Sequence, residues 1–486
     1  MQKHQSIMDF LLRHADRHTV SFHMPGHKGS DLYRRFGYGE FLDKIMDCDI
    51  TEISGADNLF QAEGIIKTAR ERYRDLYEVL YSYLLINGTS GGIIASILAT
   101  VPAGGKLIMA RNSHKSVFNA LTLGNIRPVY AYPELIGEFG ISGEISCDEI
   151  EKCLAENPDA SAVILPSPNY YGVCSDISAI AEEVHRHGKV LIVDQAHGAH
   201  LKFFKKGMPA AAEDAGADIV INSIHKTLAS FTQSAVLNLN SGRVDRYALE
   251  DKLQCIQSTS PSYLLMASLD IGAAIMEDHG ETLMNEWSDN LDYFYREATG
   301  IQASSQSSTG QHNCGLRFLS EQKNFDRSKI NIDTEGSGMT AAELEELLME
   351  KGIFCELTSG NILMLMSGIG NKKADFERLI SALKDISEQR LFRSGDIKEG
   401  SDLVKSVLIP KKAEIFEIPK NRKRIALAEA DGCICAVSII PYPPGIPLIC
   451  PGEKLQADTI TCIKSLRASG QKVIGINEKG EVTVGV

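Results

Sequence analysis

The spacing of apolar positions along the chain changes character as it is read from the start. Residues 5–14 carry them at helical intervals, which predicts a short amphipathic helix, and the turn-rich stretch His23-Met-Pro-Gly-His-Lys-Gly29 follows. This beginning, residues 1–60, reads as an arm and not as part of a core. From Ile65 to about Leu269, short continuous apolar runs alternate with longer helical segments. The runs are Leu84-Leu-Ile86, Lys106-Leu-Ile-Met109, Ala162-Val-Ile-Leu165 and Val190-Leu-Ile-Val193. Apolar strands separated by helices predict an α/β large domain, residues 61–290, with a mainly parallel sheet covered on both faces. Ser304 to Gly310 has no apolar period and predicts a loop. Beyond it lie smaller α/β domains, residues 291–395 and 396–486. Helices are predicted over Thr340–Lys351 and Ala374–Leu391, and Ile439–Glu453 reads as a proline-dense loop.

Composition narrows the function class without identifying it. A chain of 486 residues is too long for one ordinary core, which agrees with several domains. Its 63 acidic and 50 basic residues give a net charge of −13, which argues against nucleic-acid or anionic-membrane partners that rely on bulk charge. The basic cluster Lys420–Arg424 reads as solvated surface. The 11 cysteines are scattered, and Cys433 and Cys435 lack a second pair at metal-site spacing. No metal is expected, and reduced thiols point to the cytoplasm. The apolar run Met8–Leu12 is too short for a signal peptide, and no run approaches the roughly 20 apolar residues of a membrane span.

Three segments carry candidate chemistry. Asn87-Gly-Thr-Ser-Gly-Gly92 lies between a predicted strand and a helix beginning near Gly92, so Gly88, Thr89 and Ser90 could cradle an anion with backbone N–H groups and hydroxyls. Asp194 ends the apolar run Val190–Val193, where active-site groups of open parallel sheets sit. Such an aspartate can bind a metal, cap the next helix or pair with a cationic ligand. Lys226 ends Ile219-Val-Ile-Asn-Ser-Ile-His-Lys226. A lysine there either snorkels to solvent or stays buried, where desolvation lowers its pKa and makes it a nucleophile toward aldehydes. Taken together, a phosphate cup, a carboxylate for a pyridine nitrogen and an amine for an aldehyde have one common explanation, pyridoxal 5'-phosphate, with Lys226 as the Schiff-base lysine. Ser223 and His225 would add phosphate donors.

These segments sit within a longer set of motifs: Met24-Pro-Gly-His-Lys-Gly29, Asp49-Ile-Thr-Glu52, Asn87-Gly-Thr-Ser90, Arg111-Asn-Ser-His-Lys-Ser116, Asp194 to His197, Ser223 to Lys226, Ser258-Thr-Ser-Pro-Ser262 and Pro441-Tyr-Pro-Pro-Gly-Ile-Pro447. In this order they resemble the bacterial ornithine/lysine/arginine decarboxylases of the aspartate-aminotransferase fold, in the compact, wingless form. The resemblance implies a pyridoxal-phosphate fold-type I large domain and makes residues 396–486 the family's C-terminal domain. It implies that His114 stacks on the cofactor ring with Ala196 against the opposite face, and that His197 and His225 are polar contacts to it. His200 would be structural. Ser258, Thr259 and Ser260 match a segment that reaches the phosphate of the neighbouring subunit, implying a homodimer or larger homo-oligomer.

The implied reaction is decarboxylation of a basic L-amino acid, arginine before lysine before ornithine, to agmatine, cadaverine or putrescine, with Lys226, Asp194 and His114 as the catalytic group. Either Lys226 or a histidine could return the proton to the α-carbon. The chain departs from the family's pattern at Phe60, Gln195 and Asn169, which bears on recognition of the substrate's distal group. Two other readings stand beside this one. Arg317, Arg378 or Arg390 could clamp a substrate carboxylate, as in an aminotransferase, or the fold could serve a non-catalytic protein.

Overall fold

The computed structural model describes residues 6–304, 315–320, 322–390, 413–442, 445–468 and 471–486. Its centre is a seven-stranded sheet: β1 (Tyr81–Leu85), β2 (Lys106–Ala110), β3 (Arg127–Ala131), β4 (Ala160–Pro166), β5 (Val190–Asp194), β6 (Ile219–Asn222) and β7 (Ala235–Leu239). The spatial order is β3-β2-β4-β5-β6-β7-β1. Only β7 runs against its neighbours; the other pairings are parallel. The central strands are buried almost throughout, as continuous apolar runs require, with helices on both faces. Each predicted strand is present within three residues of its expected ends.

A second, antiparallel sheet contains β8 (Arg317–Phe318), β9 (Lys329–Asp333), β10 (Leu357–Ser359) and β11 (Ile362–Met366), in the order β8-β9-β11-β10. The helices Ala341–Glu350 and Lys373–Arg390 agree with the expected ones. The helix Tyr263–Ser304 runs unbroken across residues 290 and 291, where the sequence places a boundary, and packs on the helices Ile65–Tyr77 and Lys373–Arg390 and on β8. The predicted loop after Ser304 lies outside the described residues.

The beginning of the chain differs from the expected arm. Ile7–Ala15 is a helix with no buried residue, but from Val20 the chain enters the core. Val20–Ser21 pairs in parallel with Ile353–Phe354, and Phe22 and Tyr33 are buried. Gly26 N donates to His225 O at 2.7 Å, and Gly370 N donates to Gly26 O at 3.0 Å. A Cβ on Gly26 would stand 2.4 Å from the Thr227 carbonyl carbon, so only glycine lets the segment pass between the end of β6 and the second sheet. Sequence periodicity does not register such a segment, because it buries its backbone against glycine contacts and forms almost no regular element.

The C-terminal part has its own apolar cluster, including Leu427, Ile439, Ile463 and Val482, and the cluster Lys420–Arg424 is exposed, as expected. It is anchored to the main sheet through Arg111, directly after β2. The buried guanidinium donates to Pro447 O at 2.8 Å, Leu448 O at 2.9 Å and Glu453 Oε2 at 2.9 Å. Both partners of the ion pair are essentially inaccessible, at 0% and 1% side-chain exposure, so neither can exchange the other for water. Replacing Glu453 by Ala strands a buried cation and is expected to cost about 3–5 kcal/mol in urea unfolding; a loss below about 1 kcal/mol would contradict this anchoring.

Candidate active site

Three loops at the C-terminal ends of β1, β5 and β6 converge. After β1, the helix Gly88–Thr100 starts at Gly88 itself, four residues earlier than expected, because Gly88 takes φ +68° and turns the chain directly into the helix. Thr89 therefore lies in the first helical turn, where N–H groups have no intrahelical partner. From the end of β6, Ser223 Oγ donates to Thr89 Oγ1 at 3.2 Å, joining the two loops into one hydroxyl-lined cup. Ser90 belongs to the same turn.

Asp194 ends β5 and is buried at 7% exposure. Its Oδ1 accepts from Ala196 N at 3.1 Å. Burial raises its pKa, while Lys226 and the Ala196 N–H pull it back. Lys226 follows β6 on the four-residue helix Ile224–Thr227, and its Nζ is 2.8 Å from His197 Nε2. Burial pushes the amine down to about 8; Asp194 and Glu356 oppose the shift, and Lys329 adds to it. His197 is driven well below its ordinary range by burial, with Lys226 adding to the shift. The neutral imidazole can thus accept a hydrogen bond from the ammonium or, with the amine neutral, donate one. Its buried Nδ1 has no hydrogen-bond partner among the described residues.

The other histidines are fixed by their hydrogen bonds. His114 caps the helix Lys115–Gly124 by accepting from Ser116 N, which places its ring proton on Nε2; burial lowers its pKa to about 3, helped by the charge of Lys226. His225 Nδ1 donates to Ser234 O at 2.8 Å, and burial lowers its pKa to about 4. Neutral His225 therefore presents an acceptor at Nε2 and would need a second proton to donate to a phosphate, which differs from the expected role. Ser258, Thr259 and Ser260 are exposed. Ser258 Oγ accepts from Ser260 N at 3.1 Å, and no hydrogen bond among the described residues joins the three to the cup. They follow the helix Arg246–Ile256, which is docked beside the cup by Asn87 Nδ2 donating to Ile256 O at 2.9 Å.

Sequence reasoning gave no role to Glu356, Tyr170, Lys28 or Lys329. Glu356 accepts from Met24 N at 3.0 Å and from Tyr170 Oη at 3.2 Å, and its charge acts on Lys226. The Tyr170 ring packs on His197 with centroids 4.5 Å apart. Lys28 donates to Met366 O at 3.1 Å, and burial lowers its pKa to about 7. The faint signal was a polar residue inside a run that otherwise reads as a buried strand, as at Lys329-Ile-Asn-Ile332.

The three departures from the family pattern fall outside the direct surroundings of Lys226. Gln195 is buried and donates to Glu213 at 2.9 Å and Asn222 at 3.0 Å. Asn169 Nδ2 donates to Ser142 O at 2.9 Å, and its Oδ1 accepts from Tyr171 N and Val173 N, organising a turn. Phe60 packs against the apolar core.

The residues present fit pyridoxal phosphate: a hydroxyl cup at a helix start, a buried carboxylate with one oxygen engaged, and an amine of lowered pKa backed by a histidine with an orphaned nitrogen. Among the described residues no group of His, Cys, Asp and Glu is arranged to hold a metal.

The fold is that of the pyridoxal-phosphate enzymes of fold type I, and solved structures of that type superpose on it. Lysine decarboxylase A of Pseudomonas aeruginosa does so with a TM-score of 0.75 at 20% identity, over 98% of this chain and 80% of that one. The chain belongs to the Orn/Lys/Arg decarboxylase family: the family's major domain matches residues 6–308 and its C-terminal domain residues 397–479. It is 31% identical to an arginine decarboxylase of Bacillus subtilis, over 98% of this chain and 96% of the relative. An arginine decarboxylase of Halalkalibacterium halodurans is 30% identical with the same coverage.

Lys226 should be modified far more readily near neutral pH than an ordinary lysine. Competitive acylation of cofactor-free protein, followed by peptide mapping, is expected to give a midpoint near pH 8, against 10.5 for an ordinary lysine. Asp194→Asn removes a charge that raises this value and should move the midpoint lower. A midpoint near the ordinary value would contradict the burial argument.

Proposed function

We propose that the chain is a pyridoxal-phosphate-dependent decarboxylase of a basic L-amino acid, arginine in the first place, acting in the cytoplasm as a homodimer or larger homo-oligomer. The observation that carries this reading is the meeting of Lys226, His197 and Asp194 beside the Thr89–Ser223 cup. Thr89, Ser90 and Ser223 would hold the phosphate, Asp194 the ring nitrogen, and Ala196 and His114 the two faces of the ring. When bound, the cofactor supplies the electron sink for cleavage at the substrate's α-carbon.

The chain's own residues then divide the remaining work. Buried Asp194 stays ionised beside a protonated ring nitrogen, because each charge cancels the other's desolvation cost. The Lys226 amine, neutral at mildly alkaline pH, shares a hydrogen bond with His197 Nε2 at 2.8 Å, and either can return a proton to the reacting carbon. Glu356, whose charge acts on Lys226, suits the distal cation of a basic side chain. The aminotransferase reading loses support: Arg317 is paired with Asp333 and Glu335, and Arg378 donates to Lys351 O. The side chain of Arg390 lies outside the described residues. No helix among the described residues is long and apolar enough to cross a membrane.

Purified enzyme given arginine, lysine and ornithine separately is expected to release CO2 fastest from arginine, with agmatine as product. Release from none of the three would overturn the reading. Glu356→Gln should raise KM for the basic substrate by roughly ten- to a hundredfold while the cofactor's visible absorbance persists; an unchanged KM would remove Glu356 from substrate recognition.

A further inference from the structure

The second sheet sends one cation into the space behind the site. Lys329 opens β9 and is completely buried, at 0% exposure. A buried lysine normally reflects a specific demand, since an apolar side chain of similar length fills the same volume without desolvating a charge. All three ammonium donors of Lys329 are used: Asp326 Oδ2 at 2.8 Å, Ser328 Oγ at 3.0 Å and the main-chain oxygen of His197 at 2.7 Å. Asp326 is held in turn by His200 Nε2 at 3.1 Å and Ser328 N at 3.0 Å. The His200 ring lies against Trp287, whose Nε1 donates to Ser367 Oγ at 2.9 Å. Burial alone would raise the Asp326 carboxyl, but His200 and Lys329 carry it well below the ordinary carboxylate range. The cation is thus paired, fixed in direction and aimed at one carbonyl.

That carbonyl belongs to the residue whose ring meets Lys226. We propose that Lys329 is a positioning residue for the reaction at Lys226: anchored on Asp326, it fixes the His197 main chain and, through it, the imidazole that faces the reactive amine. The inference rests on the proposed reaction and adds a role for the second sheet, which completes the site from behind by a charge. The charged and titratable groups around Lys226 are Asp194 and His197 after β5, His114 after β2, His225 beside it, and Glu356 and Lys329 from the second-sheet region. Among these, Lys329 is a cation that disfavours protonation of the Lys226 nitrogen.

The test uses holoenzyme carrying Lys329→Met, and the double variant Asp326→Asn with Lys329→Met, which removes both buried charges and leaves no unpaired carboxylate if the single variant does not fold. Two quantities are read: the pH midpoint of the cofactor's visible band, and kcat and KM for the basic substrate. Removing a cation makes protonation easier, so the midpoint is expected to rise by roughly one pH unit. Loosening the imidazole should lower kcat roughly tenfold or more, with KM changing far less. A band midpoint in Lys329→Met, or a kcat in the double variant, that superimposes on wild type overturns the inference. A wild-type enzyme with no Lys226-dependent band overturns the proposed function and this inference together, whereas an unmoved midpoint with the band intact overturns only the latter.

Discussion

The structure depends on keeping one lysine amine out of water. Lys226 sits at the end of a strand buried along its whole length, and the cost of desolvating its ammonium is what brings the amine to about 8. The surrounding groups tune that cost. Asp194 and Glu356 limit the shift, Lys329 deepens it, and His197 gives the amine a hydrogen-bond partner. The sheet order places Asp194 at the end of β5 and Lys226 just beyond the adjacent β6, with Asp194 opposite Ile221 in register, so the carboxylate and the amine emerge side by side.

Enclosure comes from parts of the chain far from β5 and β6 in sequence. The Gly26 segment packs against the backbone around Thr227, and the second-sheet region contributes the buried Lys329–Asp326 pair, which meets His200. Arg111, three residues before His114, ties the C-terminal part to the end of β2 by a buried ion pair. Two buried ion-pair systems therefore flank the site. Buried pairs of this kind contribute little to stability relative to apolar packing but are strongly destabilising when one partner is removed, so they fix geometry at a cost in tolerance.

Much of this was legible in the sequence, and the reason is physical. The strands β2, β4 and β5 announce themselves because parallel strands covered on both faces must be continuously apolar. Asp194 and Lys226 stand out because a charged residue directly after such a run is an energetic anomaly. Other features left no such trace. The Gly26 segment is core without being regular structure. Glu356 and Tyr170 meet across 186 residues, a contact that no local spacing encodes. The departures at Gln195 and Asn169, which suggested an altered substrate pocket, serve buried structural hydrogen bonds instead. The helix Gly88–Thr100 begins earlier than a glycine-rich sequence suggests, because Gly88 makes the turn within a single residue.

The central claim is that Lys226, among the three lysines gathered in this region, is the one that carries the cofactor. Borohydride reduction of the purified holoenzyme, followed by peptide mapping, tests it directly. The account expects a reduced pyridoxyl group on the peptide containing Lys226 and none on those containing Lys28 or Lys329; a label on either of the latter, or no label at all, would contradict it.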